Sequence, residues 1–265
     1  MYEDRVLAFI DILGFSESIN KTISSGIENE EVTNRINNLI EGVQWSINFD
    51  KELNGKCFNS KIVNQFSDSI IISYLKNEES GIFQILLEIL YLCATAIRTG
   101  FLLRGAIVCD KVCHTKKKVF GPALVKAYEM EKSMAIYPRI ILDDSIINIA
   151  KIYHNRDHDP EMEVDFINDI ILRDFDGLYF INYFDAIESE LDCGFEEMPE
   201  YFECFKGIIK ELELNENISV KSKYLWLKNK FNIVINKYKE RYKKDDVKRN
   251  YPELFEYYKN IKLFE

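Results

Sequence analysis

The sequence predicts an α+β fold, a mixed core followed by a helical extension. Three observations carry this. The stretch VLAFI, Val6 to Ile10, is apolar at every position, as a strand buried on both faces must be. In KIVNQFSDSIIISY, residues 61–74, β-branched runs flank a polar Ser67-Asp68 corner, the pattern of a hairpin. From about Asp185 onward strand chemistry gives way to helix: Val220, Tyr224, Leu227, Phe231, Val234 and Tyr238 recur at steps of four and three.

After the first strand, SESINKTISS and NEEVTNRINNLIEGVQWSINF have helical spacing, the second with Val32, Ile36, Ile40 and Val43 on one face. The 61–74 hairpin comes next. Ile82, Ile85, Leu86, Ile89, Leu90, Cys93 and Ile97 then form a helical stripe, and FLLRGAIVC with KKVFG returns to strand chemistry. GPALVKAYEMEKSMA begins with Gly-Pro, where proline suits a first helical turn, and YPRIILDD reads as a strand. HNRDHDPEME reads as a polar loop, and VDFINDIILRDFDGLYFINYF as strands around an Asp176-Gly177 turn. The expected division is a core over residues 1–184 and a helical extension over 185–265.

A chain of 265 residues with 47% hydrophobic content can fill one large core. Its net charge of -10 argues against nucleic acid and anionic membrane as partners, because both repel a polyanion. An anionic small molecule would need local help, such as a metal ion. Asp4 and Arg5 precede only a short apolar run, and GIFQILLEILYLCATAI carries Gln84 and Glu88, so a soluble cytoplasmic protein is expected. The six cysteines are scattered, which fits free thiols in a reducing compartment. Cys109, Cys113 and His114 match no paired zinc-ligand spacing. Lys221, Lys228, Lys237 and Lys244 read as a solvated helix face.

A β-α-β-β-α-β order with strand one beside strand three is the ferredoxin-like arrangement. There the end of the first strand lies next to the turn that begins the third, and Asp11 and Asp68 occupy those two places. Taken singly, Asp11 is a helix cap and Asp68 a turn residue. As a pair they repel unless a divalent cation lies between them, which favours magnesium. Gly14 opens a helix N-terminus just beyond, where backbone N–H groups can hold phosphate oxygens. Together these are the parts for phosphoryl chemistry on a nucleoside triphosphate.

FIDILGFS, QFSDS, LLRGAIV and VFGPALVKAYEME resemble the successive motifs of class III nucleotide cyclases over about residues 5–142. The resemblance implies a palm-type ferredoxin-like catalytic domain working as a homodimer. It implies two ions of Mg2+ or Mn2+ on Asp11 and Asp68 with the Ile12 carbonyl assisting, and a triphosphate on the backbone of Leu13, Gly14, Phe15 and Ser16. The apolar stripe through Leu227 and Phe231 is read as a further support for the dimer.

Where purine cyclases carry a base-selecting lysine this sequence has Asn64, and Lys118 stands at the adenine-selecting acidic position. The family's transition-state Asn and Arg fall on Val125 and Glu129, and no triphosphate-binding lysine is evident around RDFDG. Arg104 is the candidate replacement cation. The whole pattern looks closest to the pyrimidine cyclases of Pycsar anti-phage defence. That resemblance implies conversion of UTP or CTP to a cyclic monophosphate that activates a separately encoded effector. Two other readings stay open, an inactive nucleotide-binding module and a purine cyclase.

Overall fold

The computed structural model describes residues 1–24, 26–48, 60–157, 159–191 and 194–265. The chain divides into two compact units, Met1–Tyr183 and Phe184–Glu265. The first unit begins with β1 (Glu3–Leu13), α1 (Phe15–Lys21), β2 (Ile23–Ser24), β3 (Ile27–Glu28) and α2 (Glu30–Asn48). It continues through β4 (Ile62–Phe66), β5 (Ser69–Leu75), α3 (Gly81–Arg98), β6 (Leu102–Thr115), β7 (Lys118–Phe120) and α4 (Pro122–Met134). It ends with β8 (Ile140–Leu142), α5 (Ser145–Ile152), α6 (Pro160–Ile170), β9 (Ile171–Arg173) and β10 (Tyr179–Ile181).

The eight-stranded sheet runs β4-β5-β1-β6-β8-β10-β9, with β7 paired to β6. Its first four strands are antiparallel neighbours in the ferredoxin-like order. Strand β1 sits in the middle, and Val6, Leu7, Ala8 and Ile10 are fully buried, which is why this strand is apolar on both faces. One face carries Leu7 and Val108, packed against Ala123 and Ala127 of α4. The opposite face carries Tyr74 of β5, whose hydroxyl donates to Glu88 of α3. Helix α3 is long and apolar enough to cross a membrane, yet 67% of it is buried inside the protein, as befits a core helix.

Three sequence expectations change. Thr22, Ile23 and Ser24 do not extend the first helix, because Gly26, at φ 78, turns the chain so that Ile23 pairs with Glu28 in a small hairpin. PEME belongs to α6 and not to a loop. Asp159 accepts a hydrogen bond from the Glu161 N–H at 2.8 Å, and Pro160 suits the first turn. VDFINDI is therefore helical, its Ile167 and Ile170 buried three residues apart, and the strands around Asp176-Gly177 shrink to β9 and β10. The third change concerns the second unit, formed by α7 (Met198–Glu213), α8 (Ile218–Tyr242), α9 (Asp245–Asn250) and α10 (Pro252–Asn260). Leu227 and Phe231 of α8 are buried in that unit's own core, with the Phe231 ring against Phe202 and Phe205. That stripe is spent within the unit and is not a dimer surface.

Strands β1 and β6 approach closely where Gly105 faces Ile10. A Cβ on Gly105 would stand 2.5 Å from the Phe9 carbonyl oxygen, a backbone atom that cannot swing aside. Gly105→Ala is expected to destabilise the protein by about 1–3 kcal/mol, the cost of overpacking, read as a lower thermal midpoint.

Candidate active site at the end of the central strand

Asp11 lies at the end of β1, directly opposite Ser69 of β5 on one side and Arg104 of β6 on the other. Asp68 lies in the two-residue turn between β4 and β5, where Ser67 takes a left-handed φ of 55. The Ile12 N–H donates to the Asp68 carbonyl oxygen at 3.0 Å, fastening the end of β1 to that turn. The two aspartates are thereby brought to one edge of the sheet by backbone pairing alone.

Asp11 is not left to repel Asp68. Arg104 reaches its carboxylate at 3.6 Å and also pairs with Glu131 of α4, whose side chain is only 4% exposed against 24% for Arg104 and 25% for Asp11. An exposed ion pair is worth about 0–1 kcal/mol, whereas removing one partner of a buried pair costs about 3–5 kcal/mol. Glu131 therefore fixes Arg104 more firmly than Asp11 does. The Arg104 Nε is buried and makes no hydrogen bond.

Beyond Asp11, Gly14 takes a left-handed φ of 73 and starts α1, whose Ser18 N–H donates to the Gly14 carbonyl. The Phe15 side chain is buried in the core, so of that residue only the backbone faces the site, and Ser16 is exposed. Asp11, Ile12 and Asp68 supply two carboxylates and a carbonyl, the hard oxygen donors that magnesium and manganese take. Among the described residues no three His, Cys, Asp or Glu side chains gather into a metal cluster.

Asn64 shares the sheet face of Asp11, because it pairs with Ile71, which in turn faces Phe9 two residues before Asp11. Strand spacing and rise put it roughly 12 Å from Asp11, the scale of a nucleotide. Its amide is engaged by neighbours: Nδ2 donates to the Lys116 carbonyl at 3.1 Å, and Oδ1 meets His114 Nε2. Lys118, Val125 and Glu129 are all exposed, Lys118 lying over the Phe120 ring. Asp174 and Asp176 in the β9–β10 turn grip the fully buried Arg139, whose carbonyl accepts from the Gly105 N–H at 3.2 Å beside Arg104. Burial would raise the Asp176 carboxyl, but hydrogen bonds from Arg139 and the Leu178 N–H, with the Arg139 charge, hold it below the usual carboxylate range.

Glu131 and His114 are the residues that sequence reasoning misses. Glu131 had a signal, since it follows Ala123 and Ala127 at steps of four and so shares their buried helix face. His114 is 4% exposed, with Nδ1 2.7 Å from the Ser73 hydroxyl, and so stands apart from Cys109 and Cys113 as a polar core residue.

A cavity of about 530 Å³ lined by Ile19, Ile23, Ile36 and Ile40 contains none of these carboxylates. The exposed apolar side chains of the first unit include Phe66, next to the Ser67-Asp68 turn, and Val125 and Tyr128 on α4.

No family model and no curated relative matches the sequence. Among solved structures, the monomeric guanylyl cyclase domain of the RhoGC fusion protein from the aquatic fungus Blastocladiella emersonii is 13% identical, covering 68% of this chain and 95% of that one at a TM-score of 0.43. A class III adenylyl cyclase-like ATP-binding protein from Pseudomonas aeruginosa is 11% identical over 64% of this chain and 44% of that one, TM-score 0.34. A bacterial light-regulated adenylyl cyclase is 13% identical over 56% of this chain, TM-score 0.38, and the match spans 45% of that longer protein. Likenesses this distant carry no argument about activity. The ferredoxin-like order rests on the strand pairing itself.

Burial, with the nearby Arg5 charge, lowers His114 from its ordinary 6.5 to about 4, so the folded protein keeps the ring neutral. As pH falls from 6.5 towards 4, the unfolded chain binds a proton that the folded chain refuses, and stability drops over that window. Thermal midpoints measured between pH 7 and 4.5 are expected to fall less steeply in His114→Gln than in the wild type.

Proposed function

We propose that the chain is a nucleotide cyclase that converts a pyrimidine nucleoside triphosphate, CTP or UTP, to its 3',5'-cyclic monophosphate and pyrophosphate. The observation that carries this reading is the meeting of Asp11 and Asp68 at one sheet edge, clasped by the Ile12–Asp68 backbone hydrogen bond and flanked by Arg104. It agrees with the cyclase-like motifs in which both aspartates lie.

Asp11, Asp68 and the Ile12 carbonyl would hold Mg2+ or Mn2+, which when bound would lower the pKa of the ribose 3'-hydroxyl and neutralise the phosphates. The 3'-oxygen bonds to the α-phosphorus as the bond from that phosphorus to the bridging oxygen breaks; pyrophosphate leaves and the hydroxyl proton passes to water. Backbone N–H groups from Leu13 to Ser16 receive the triphosphate. Arg104, held by Glu131, is partly exposed, and the outer edge of its guanidinium is the part that can meet a phosphate oxygen. This gives Arg104 the work that Val125 and Glu129, both exposed, are not equipped to do. Asn64 meets the base: after its bonds to His114 and Lys116 it retains one N–H and one oxygen lone pair. The protein acts as a homodimer in the cytoplasm, with Phe66, Val125 and Tyr128 next to a site completed by the second copy, and its product acts on a separately encoded effector.

One observation favours a second reading, a module that holds a nucleotide without turning it over: Asp11 already has Arg104 as a counter-ion. Incubation with each of the four ribonucleoside triphosphates and manganese, with products identified by mass, separates the two. The wild type is expected to form a cyclic pyrimidine nucleotide, and Asp11→Ala and Asp68→Ala to form none while keeping a folded circular dichroism spectrum. Wild-type turnover in either variant would remove the metal site, and cyclic AMP or cyclic GMP as the main product would remove the pyrimidine assignment.

A further inference from the structure

A hydrogen-bonded chain crosses the α4-side face of the sheet from β1 to the β6–β7 turn, and its two ends fix its direction. At one end the buried Arg5 donates from Nε to the Ser73 hydroxyl oxygen at 2.8 Å. A guanidinium has no acceptor, so the Ser73 hydroxyl proton is left to point elsewhere, and its other neighbour is His114 Nδ1 at 2.7 Å. His114 Nδ1 therefore accepts. The neutral ring carries its proton on Nε2, which faces Asn64 Oδ1. At the far end the Lys116 carbonyl can only accept, and it receives Asn64 Nδ2 at 3.1 Å. Arginine at one end and a carbonyl at the other thus impose the same orientation on the Asn64 amide.

That matters because of what an amide can read. A side-chain amide that is able to turn over offers donor and acceptor in either order. Cytosine presents an N4–H donor beside the N3 acceptor, while uracil presents the O4 acceptor beside an N3–H donor, the reverse order. An amide free to flip suits both bases. One held in a single orientation suits one and leaves unpaired groups against the other, a penalty worth about tenfold or more.

We infer that the Arg5–Ser73–His114 relay is a specificity device: His114 is a positioning residue that locks the flip of the Asn64 amide and so makes the site discriminate between cytosine and uracil. This rests on the proposed reading of Asn64 as the residue that meets the base. His114 touches no substrate and acts only through Asn64.

The test combines a spectroscopic and a kinetic readout. Long-range 1H–15N spectra of the wild-type protein are expected to show His114 neutral with the proton on Nε2 near pH 7. A proton on Nδ1 overturns the relay whether or not the protein is active. Next, kcat/KM for CTP and UTP is compared in wild type, His114→Leu, Ser73→Ala and His114→Gln. Glutamine can accept from Ser73 through Oε1 and donate to Asn64 through Nε2, so it rebuilds the polarity that leucine removes. The wild type is expected to favour one pyrimidine by about tenfold or more, His114→Leu and Ser73→Ala to bring the ratio towards unity, and His114→Gln to restore it. Equal use of both pyrimidines by the wild type, or an unchanged ratio in the leucine and alanine variants, overturns the inference and leaves the cyclase standing. Absence of turnover with every triphosphate removes the cyclase reading and the selectivity claim with it. Should His114→Leu not fold, Ser73→Ala carries the kinetic comparison.

Discussion

A carboxylate at the end of a strand buried on both faces is the constraint around which the first unit is arranged. Strand β1 is apolar from Val6 to Ile10, with Val6, Leu7, Ala8 and Ile10 fully buried, and the next residue is Asp11. Placing a charge there is costly unless it is compensated. The compensation comes from the neighbouring strand and helix: Arg104 stands opposite Asp11 in register, and Glu131 anchors Arg104 from α4. On the other side the Ile12–Asp68 backbone bond brings a second carboxylate to the same edge. Two acids and one arginine, the latter shared with a third acid, leave this edge short of positive charge. It is that shortage, more than any single side chain, that suits a divalent cation carrying an anionic nucleotide.

The same sheet face carries a second polar system with a different character. Around Asp11 the groups are partly exposed and charged; along Arg5, Ser73, His114 and Asn64 they are mostly buried and satisfied by one another. A fully bonded buried chain rigidifies its members. The edge near Asp11 is thus the part able to exchange partners, and the Asn64 end is the part held still. In a nucleotide site this division places adaptability at the phosphates and rigidity at the base.

Much of this is legible in the sequence, for identifiable reasons. The meeting of Asp11 and Asp68 follows from strand order, and strand order follows from the β-branched runs around Ser67-Asp68 and the apolar run before Asp11. Glu131 is harder to read, because an acid in a helix rich in Lys and Glu looks solvated until its alignment with Ala123 and Ala127 is noticed. His114 is harder still. Its partners Ser73 and Asn64 lie 41 and 50 residues away, and no local pattern announces such pairings. The misread of VDFINDI as a strand has a local cause: its β-branched residues favour extended structure, and the cap at Asp159 with Pro160 decides for the helix. The α8 stripe shows the limit of periodicity, which says that a face is buried but not against what; here the partners are Phe202 and Phe205 of the same unit.

In the proposed cyclase, Asp11 exchanges Arg104 for a divalent cation shared with Asp68 when a nucleotide binds. A crystal structure of the protein with manganese and a non-cyclisable pyrimidine triphosphate analogue tests this most directly. Anomalous manganese density is expected between the carboxylates of Asp11 and Asp68, with Arg104 on Glu131 and turned towards a phosphate. Asp11 still paired with Arg104, and manganese bound elsewhere or not at all, would contradict the exchange.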